Sequence, residues 1–248
     1  MIKDLEFFIK KVFFSESYLL KKRIKRAIKN NYEKELTIIE RFADKNKDAL
    51  DIGVYRGVYS YKLSQYFKMV HSFEPNPLLY PYLEKNLKKI IKNIKLYNLA
   101  LSDKSGETEL RLPLRSKSLF KENIEELFKL GAASMHPNND IHKCKKVPIK
   151  LDKLDNISIN NEVGFIKIDV EGHEKNVIMG AKSLINKNKP VLLVEIEERH
   201  TKIPINETIK FIKGLDYDCY CLFGNNLIDI SKVDQEKIEN NFIFLPKK

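Results

Sequence analysis

The sequence predicts an α/β fold: a mostly parallel sheet with an antiparallel edge, preceded by N-terminal helices. Three observations predict it. From residue 49 onward, short apolar runs alternate with helical patterns, and strands that alternate with helices make βαβ units and so a parallel sheet covered on both faces. The first run leads into Asp51-Ile52-Gly53-Val54-Tyr55-Arg56-Gly57, where a glycine turn opens a helix. The second ends in an acidic residue, Glu74, 21 residues beyond Gly53.

The elements follow in order. Residues 1–47 read as helix throughout: Leu5, Phe8, Ile9, Val12 and Phe13 recur at three- and four-residue steps, as do Leu36, Ile39 and Phe42, and neither Gly nor Pro interrupts. They form an N-terminal helical extension to a domain over 48–248. Its strands are ALDIG (49–53), MVHSFEP (69–75), IKLYNLAL (94–101), GFIKIDVEG (164–172) and PVLLVEIE (190–197). YDCYCLF (217–223) and NFIFLP (241–246) form the antiparallel edge. Residues 113–148 break the rhythm, being long, polar and irregular around one short helix. A loop of that size in a compact domain is usually functional, and a lid over an acceptor is expected.

Composition narrows the class. The chain has 248 residues, 43% of them apolar, with nine glycines and nine prolines, which excludes a disordered or collagen-like chain. No stretch of about 18 uncharged apolar residues occurs, so no membrane-spanning helix is expected. Three cysteines, Cys144, Cys219 and Cys221, are too few and too uneven for a disulfide framework. A reducing, cytoplasmic location is expected. The opening MIKDLEFFIKKVFF carries Asp4, Glu6 and three lysines, unlike a secretion signal. The net charge of +11 attracts anions without choosing among them. Lys21, Lys22, Arg23, Lys25, Arg26 and Lys29 fall in one helical stretch, either a solvated face or a contact for a peripheral membrane or another phosphate-bearing partner.

The chemistry concentrates at strand ends. Glycine where a strand turns into a helix lets a ligand approach the backbone, and the helix start offers free N–H groups. Glu74 is spaced to accept hydrogen bonds from a ribose diol, so a Rossmann-like nucleoside site is expected. A dinucleotide pyrophosphate needs a second glycine where Tyr55 stands, and no phosphate-loop lysine motif is present. Asp169 falls at the end of its strand, where open α/β sheets hold their ligands. His173, just beyond it, titrates near neutrality and is a candidate general base.

The segments LDIGVYRGVYS, FEPNP, NLALSDKSGE, GAASM, IKIDVEGHEKNVIMGA and PVLLVEIE resemble the FkbM family of S-adenosylmethionine-dependent methyltransferases. The likeness runs from about Leu50 to the terminal NFIFLP, and IDVEGHE is its most specific part. Val54 and Tyr55 depart from the small residue and asparagine usual in the family's glycine loop. The resemblance implies a seven-stranded class I methyltransferase fold with S-adenosylmethionine as cofactor. It places Asp51, Gly53 and Gly57 at the methionine end, with Tyr55 in the same loop, and Glu74 at the ribose beside Pro75. The Asn98–Ser102 turn, with Ala100, would lie near the adenine, and Asp103 would meet its amino group.

The resemblance further implies O-methylation of a small hydroxyl acceptor, a sugar or nucleotide-linked sugar of surface-polysaccharide synthesis. Some O-methyltransferases of this general fold hold a metal at these strand ends. Asp169, Glu195 and His200 would make a two-carboxylate, one-imidazole site for Fe²⁺, Mn²⁺ or Mg²⁺, with Glu197 on the same strand face as Glu195 and His136 and His142 as alternative ligands or acceptor contacts. A nucleic-acid-binding or nucleic-acid-modifying methyltransferase is the rival reading, motivated by the net charge. No Asn/Asp-Pro-Pro-Tyr signature and no recognised nucleic-acid module support it, so no specific nucleic acid is expected. The sequence leaves the oligomeric state open.

Overall fold

The computed structural model describes residues 14–113, 133–135, 144–234, 236 and 238–247. Helix α1 (Glu16–Lys29) starts where the Ser15 hydroxyl accepts the Tyr18 N–H at 3.3 Å, satisfying one orphan donor of the first turn. It ends at Asn30, before Asn31 turns left-handed at φ 50°. Leu20 and Ile24 form its buried stripe. Two 3₁₀ turns follow, Lys34–Thr37 and Ile39–Phe42. The expectation of helix throughout 1–47 is therefore corrected for the described part. The left-handed turn breaks the helix, and Leu36, Ile38 and Ile39 instead plug the core between Ala49, Leu63, Phe67 and Phe165.

From there strands and helices alternate: β1 (Asp48–Ile52), α2 (Val58–Ser64), β2 (Val70–Phe73), α3 (Tyr80–Ile90), β3 (Ile94–Tyr97), β4 (Ala100–Leu101), β5 (Gly106–Pro113) and β6 (Cys144–Asp152). The second half holds β7 (Val163–Ile168), α4 (Glu174–Met179), α5 (Lys182–Asn188), β8 (Val191–Glu195), α6 (Glu198–Thr201), α7 (Ile205–Lys213), β9 (Tyr217–Phe223), β10 (Asn226–Asp229) and β11 (Asn241–Pro246). The main sheet has the order β10-β9-β11-β8-β7-β1-β2-β3, eight strands where seven were expected. The pairs β3–β2, β2–β1, β1–β7 and β7–β8 are parallel; β11 runs antiparallel to β8 and β9. The extra strand is β10, which returns along β9 through Gly224-Asn225, with Gly224 at φ 56°. A two-residue turn with positive φ suits the twist of a hairpin.

Both faces of the sheet are buried, as its parallel strands require. Along β7, Phe165 joins Phe67 and Leu193 on one face, while Ile166 and Ile168 meet Val177, Ile178 and Ile185 on the other. No described helix is long and apolar enough to cross a membrane.

Two further expectations change. IKLYNLAL is two strands, β3 in the main sheet and β4 in a second sheet of order β4-β6-β5. The flanks of the expected lid are also strand, since Gly106–Pro113 pairs along Cys144–Asp152. Val147, Ile149 and Leu151 alternate with Lys146, Pro148 and Lys150, a period-two pattern that its lysines disguise. Ser134 bridges to Arg111. The remainder of 113–148, including the expected short helix and the function as a lid, lies outside the described residues.

Gly180, at the end of α4, docks against the turn after β4: a Cβ there would stand 1.9 Å from the Ser102 carbonyl oxygen. Backbone cannot yield as a flexible side chain can. We expect Gly180→Ala to cost about 1–3 kcal/mol, the usual range for overpacking. Denaturant melts of the two proteins check this, and equal stability would mean that the turn moves freely.

Candidate active site

The sheet changes direction of construction between β1 and β7, so their C-terminal ends flank a crevice, the ligand position of open α/β folds. Gly53 closes β1. Its φ is 90°, and a Cβ would lie 1.9 Å from the Asp169 carbonyl oxygen. Only glycine lets the two strand ends approach this closely. Gly57 opens α2 at φ 73°, against the Leu87 side chain. Between them Tyr55 adopts φ 49° without being glycine, and Arg56 lies over its ring at 4.8 Å. Such a backbone persists only where its surroundings hold it.

Glu74 supplies the hold. Its Oε2 accepts the Tyr55 N–H and its Oε1 the Asn76 N–H, both at 3.0 Å. The Asn98 amide donates to the carbonyls of Glu74 at 2.9 Å and Pro75 at 3.2 Å, tying the end of β3 to that of β2. Burial raises the Glu74 carboxyl to about 7 despite its two N–H donors.

Above these strand ends lies a cavity of about 400 Å³. Of the cofactor and metal-ligand candidates, Gly53, Tyr55, Glu74, Pro75, Ala100, Asp169 and Glu195 line it. Asp51 and Gly57 do not. Asp51 is fully buried beneath the floor, where the Ser60 hydroxyl donates to it at 2.5 Å. Asn98 acts on the backbone rather than in the cavity.

Two roles are corrected. His173 does not line the cavity: its Nε2 lies 2.9 Å from the Ser102 hydroxyl. Glu171 at φ 55° and Gly172 at φ 98° turn the chain away from the crevice before His173 is reached. Asp103 is not at the cavity either. Its Oδ1 accepts the Asn176 amide at 3.1 Å and the Ser102 hydroxyl at 3.0 Å, and these bonds, Asn176 first, lower its carboxyl from the ordinary value. His173, Ser102, Asp103 and Asn176 form a clamp on the turn after β4.

The metal expectation also fails on the donor set. Asp169 and Glu195 do come together, but the Lys167 ammonium already donates to Asp169 Oδ2 at 3.0 Å. Burial first, and then the Asp169 charge, raises the Glu195 carboxyl well above its ordinary value. A dication there would stand beside the Lys167 ammonium, which already occupies one Asp169 oxygen, so Asp169 and Glu195 by themselves do not make a fitting donor set. Glu197 is turned away from the cavity, where it accepts the Asn240 amide at 2.5 Å. His200 lies on α6 with its side chain outside the described residues, as are His136 and His142. Among the described residues, no group of three or more His, Cys, Asp or Glu could hold a metal ion.

Two cavity features were not foreseen. Lys167 is buried on β7, donating also to the Gly53 carbonyl at 3.0 Å, with its ammonium 3.9 Å from Asp51 and 5.0 Å from the Tyr59 ring centre. A lysine inside the apolar run GFIKIDV was the available signal. Glu33 reaches the cavity from the N-terminal segment; burial raises its carboxyl, with the Lys167 charge opposing and that of Asp169 adding. Nothing in its spacing announces that position.

A family model described as "Methyltransferase FkbM domain" matches residues 51–219. No curated protein matches the chain. Among solved structures, the methyltransferase FkbM of Methylobacillus flagellatus KT shares 16% identity with a TM-score of 0.51, covering 81% of this chain. This chain spans 44% of the length of that protein. A TehB-like SAM-dependent methyltransferase from Corynebacterium glutamicum gives 9% identity and a TM-score of 0.44, with 94% of this chain and 98% of the other covered. An rRNA methylase from Streptococcus thermophilus gives 10% and 0.45, covering 87% and 95%.

Glu174 supports the crevice from behind, its Oε1 accepting the Gly172 N–H at 2.9 Å and the Val170 N–H at 3.3 Å. Burial raises its carboxyl from 4.5 to about 7. The folded chain therefore keeps a proton that the unfolded chain releases, a stabilisation complete below pH 4.5 and lost as pH rises through about 7. We expect the stability of wild type, measured against Glu174→Gln, to fall between about pH 5 and 7.5. A difference independent of pH in paired urea melts would show that Glu174 titrates normally.

Proposed function

We propose, because this chain belongs to the FkbM methyltransferase family, that it is an S-adenosylmethionine-dependent O-methyltransferase acting on a hydroxyl of a small acceptor, a sugar or nucleotide-linked sugar of surface-polysaccharide synthesis. The observation that carries the reading is Asp169, placed at the switch point with its carboxylate fixed by Lys167 and facing Glu195.

Binding of the donor has clear candidates. Glu74 spends one lone pair of each oxygen on a backbone N–H and keeps others for a ribose diol. Leu101 and Ala100 give an apolar wall near an adenine, and the bare Gly53 backbone leaves room for the methionine end. The carboxylates of the cavity complement a sulfonium cation, whose charge disappears as the methyl leaves.

In the transfer, an acceptor oxygen takes the methyl group from sulfur as its own O–H bond breaks. The proton passes to the Asp169 carboxylate. Lys167 holds Asp169 in one orientation, so that most of the acceleration comes from positioning. The same acidic lining, Glu33 included, suits a neutral sugar ring at the reacting centre better than a run of nucleic-acid phosphates there, and so favours this reading over nucleic-acid modification.

S-adenosylhomocysteine is expected to raise the melting temperature by binding the folded state. Glu74→Ala should weaken that binding by about 1–3 kcal/mol, read by calorimetry. Unchanged affinity would place the ribose elsewhere. Asp169→Asn should leave the binding intact but slow turnover on the order of 100- to 10,000-fold, measured by product mass against a panel of nucleotide-sugars. Full activity in Asp169→Asn would remove the proposed base.

A further inference from the structure

Helix α1 presents a face that the methyl-transfer chemistry does not use. At about 100° per residue, Lys21, Lys22, Lys25, Arg26 and Lys29 fall within an arc of about 140°, and all five side chains are exposed. Leu20, Ile24 and Ile28 lie outside that arc and pack against Leu83 and Leu87 of α3. The charge is unopposed on the helix itself. Glu16 is its one acidic residue, and Lys85 of α3 already pairs with it at 3.1 Å.

Aromatic surface lies among these cations. Tyr18, which falls within the same arc, is 48% exposed, and Phe14, just before the helix, is 45% exposed. Their rings stack on each other with centroids 5.0 Å apart and planes 15° from parallel. The pair presents a continuous exposed apolar surface at the start of the helix. Exposed aromatic rings set among lysines suit the headgroup layer of an anionic bilayer, which takes both the cations and the apolar rings. The residues just before them in sequence, Phe7-Phe8-Ile9-Lys10-Lys11-Val12-Phe13, continue the same mixture.

We infer that α1 docks the protein peripherally on an anionic membrane surface, with Lys21, Lys22, Lys25, Arg26 and Lys29 among the lipid headgroups and Phe14 and Tyr18 at the acyl boundary. The placement bears on the cavity. Glu33 lines it and follows Lys29 by four residues, a reach of at most about 14 Å. A cavity wall thus stays close to the lipid-facing residues, whichever acceptor is methylated.

The test is co-sedimentation of the full chain with phosphatidylcholine vesicles, with and without phosphatidylglycerol, across a salt series. Binding is expected only where phosphatidylglycerol is present and should weaken as salt rises. Lys21→Gln, Lys25→Gln and Lys29→Gln together should lower the partition coefficient on the order of 100-fold, at about fivefold per lysine. Tyr18→Ala should lower it several-fold at every salt concentration. Each variant should keep the melting-temperature rise given by S-adenosylhomocysteine. If the triple variant does not melt cooperatively, Tyr18→Ala and the wild-type salt series decide. No binding, equal binding to both vesicles, binding untouched by these substitutions, or displacement from vesicles by RNA homopolymer would each overturn the inference.

Discussion

One buried ammonium organises the centre of this protein. Lys167 sits on a strand covered on both faces, where an isolated charge would be prohibitively costly. Its position is tolerated because the Asp169 carboxylate and the Gly53 carbonyl accept from it at 3.0 Å and Asp51 stands 3.9 Å away. Asp51 depends on the ammonium in turn. It is fully buried, its Oδ1 has no hydrogen-bond partner among the described residues, and burial raises its carboxyl while Lys167 lowers it. The buried Asp51 needs the lysine and the lysine needs its acceptors, and removing one partner of a buried set typically costs about 3–5 kcal/mol. The glycine loop, the catalytic strand and the acidic cavity therefore form one electrostatic unit.

The parts of the fold that sequence disclosed are those with strong local signals. Apolar runs ending in DIG, FEP and IDVEG marked β1, β2 and β7, and the residues just past them do line the cavity. What stayed hidden was set by tertiary packing. β6 alternates buried Val147, Ile149 and Leu151 with lysines and a proline, so its pattern looked like a polar loop until β5 was beside it. His173 sat at a plausible distance along the chain, but two successive positive-φ residues sent it to Ser102. The spacing gave its position along the chain and not its direction. Asp169 and Glu195 both line the cavity; the lysine that pairs with Asp169 was visible only as the oddity of a charged residue in an apolar strand.

The N-terminal segment has more than one role. Its 3₁₀ turns insert Leu36, Ile38 and Ile39 into the core against the sheet, and Glu33 just ahead of them reaches the cavity. A segment outside the likeness to the family thus supplies both packing and a site wall. Glu35 extends the theme: it is buried, and its Oε1 makes no hydrogen bond. One continuous stretch of chain thus carries both the basic face of α1 and a wall of the cavity.

The pairing of β1 with β7 joins regions far apart in sequence: the bond from Lys167 to the Gly53 carbonyl spans 114 residues. Closing so long a loop must precede the contacts that reward it, and non-local pairing slows folding. The halves carrying β1–β3 and β7–β11 can each gather local contacts first, whereas the cavity floor comes into being only when they join. On a ribosome the order is stricter still, since Gly53 emerges long before its lysine. Until then the Asp51 side of the floor has no cation to bury against, and the nascent chain has every reason to keep it in water.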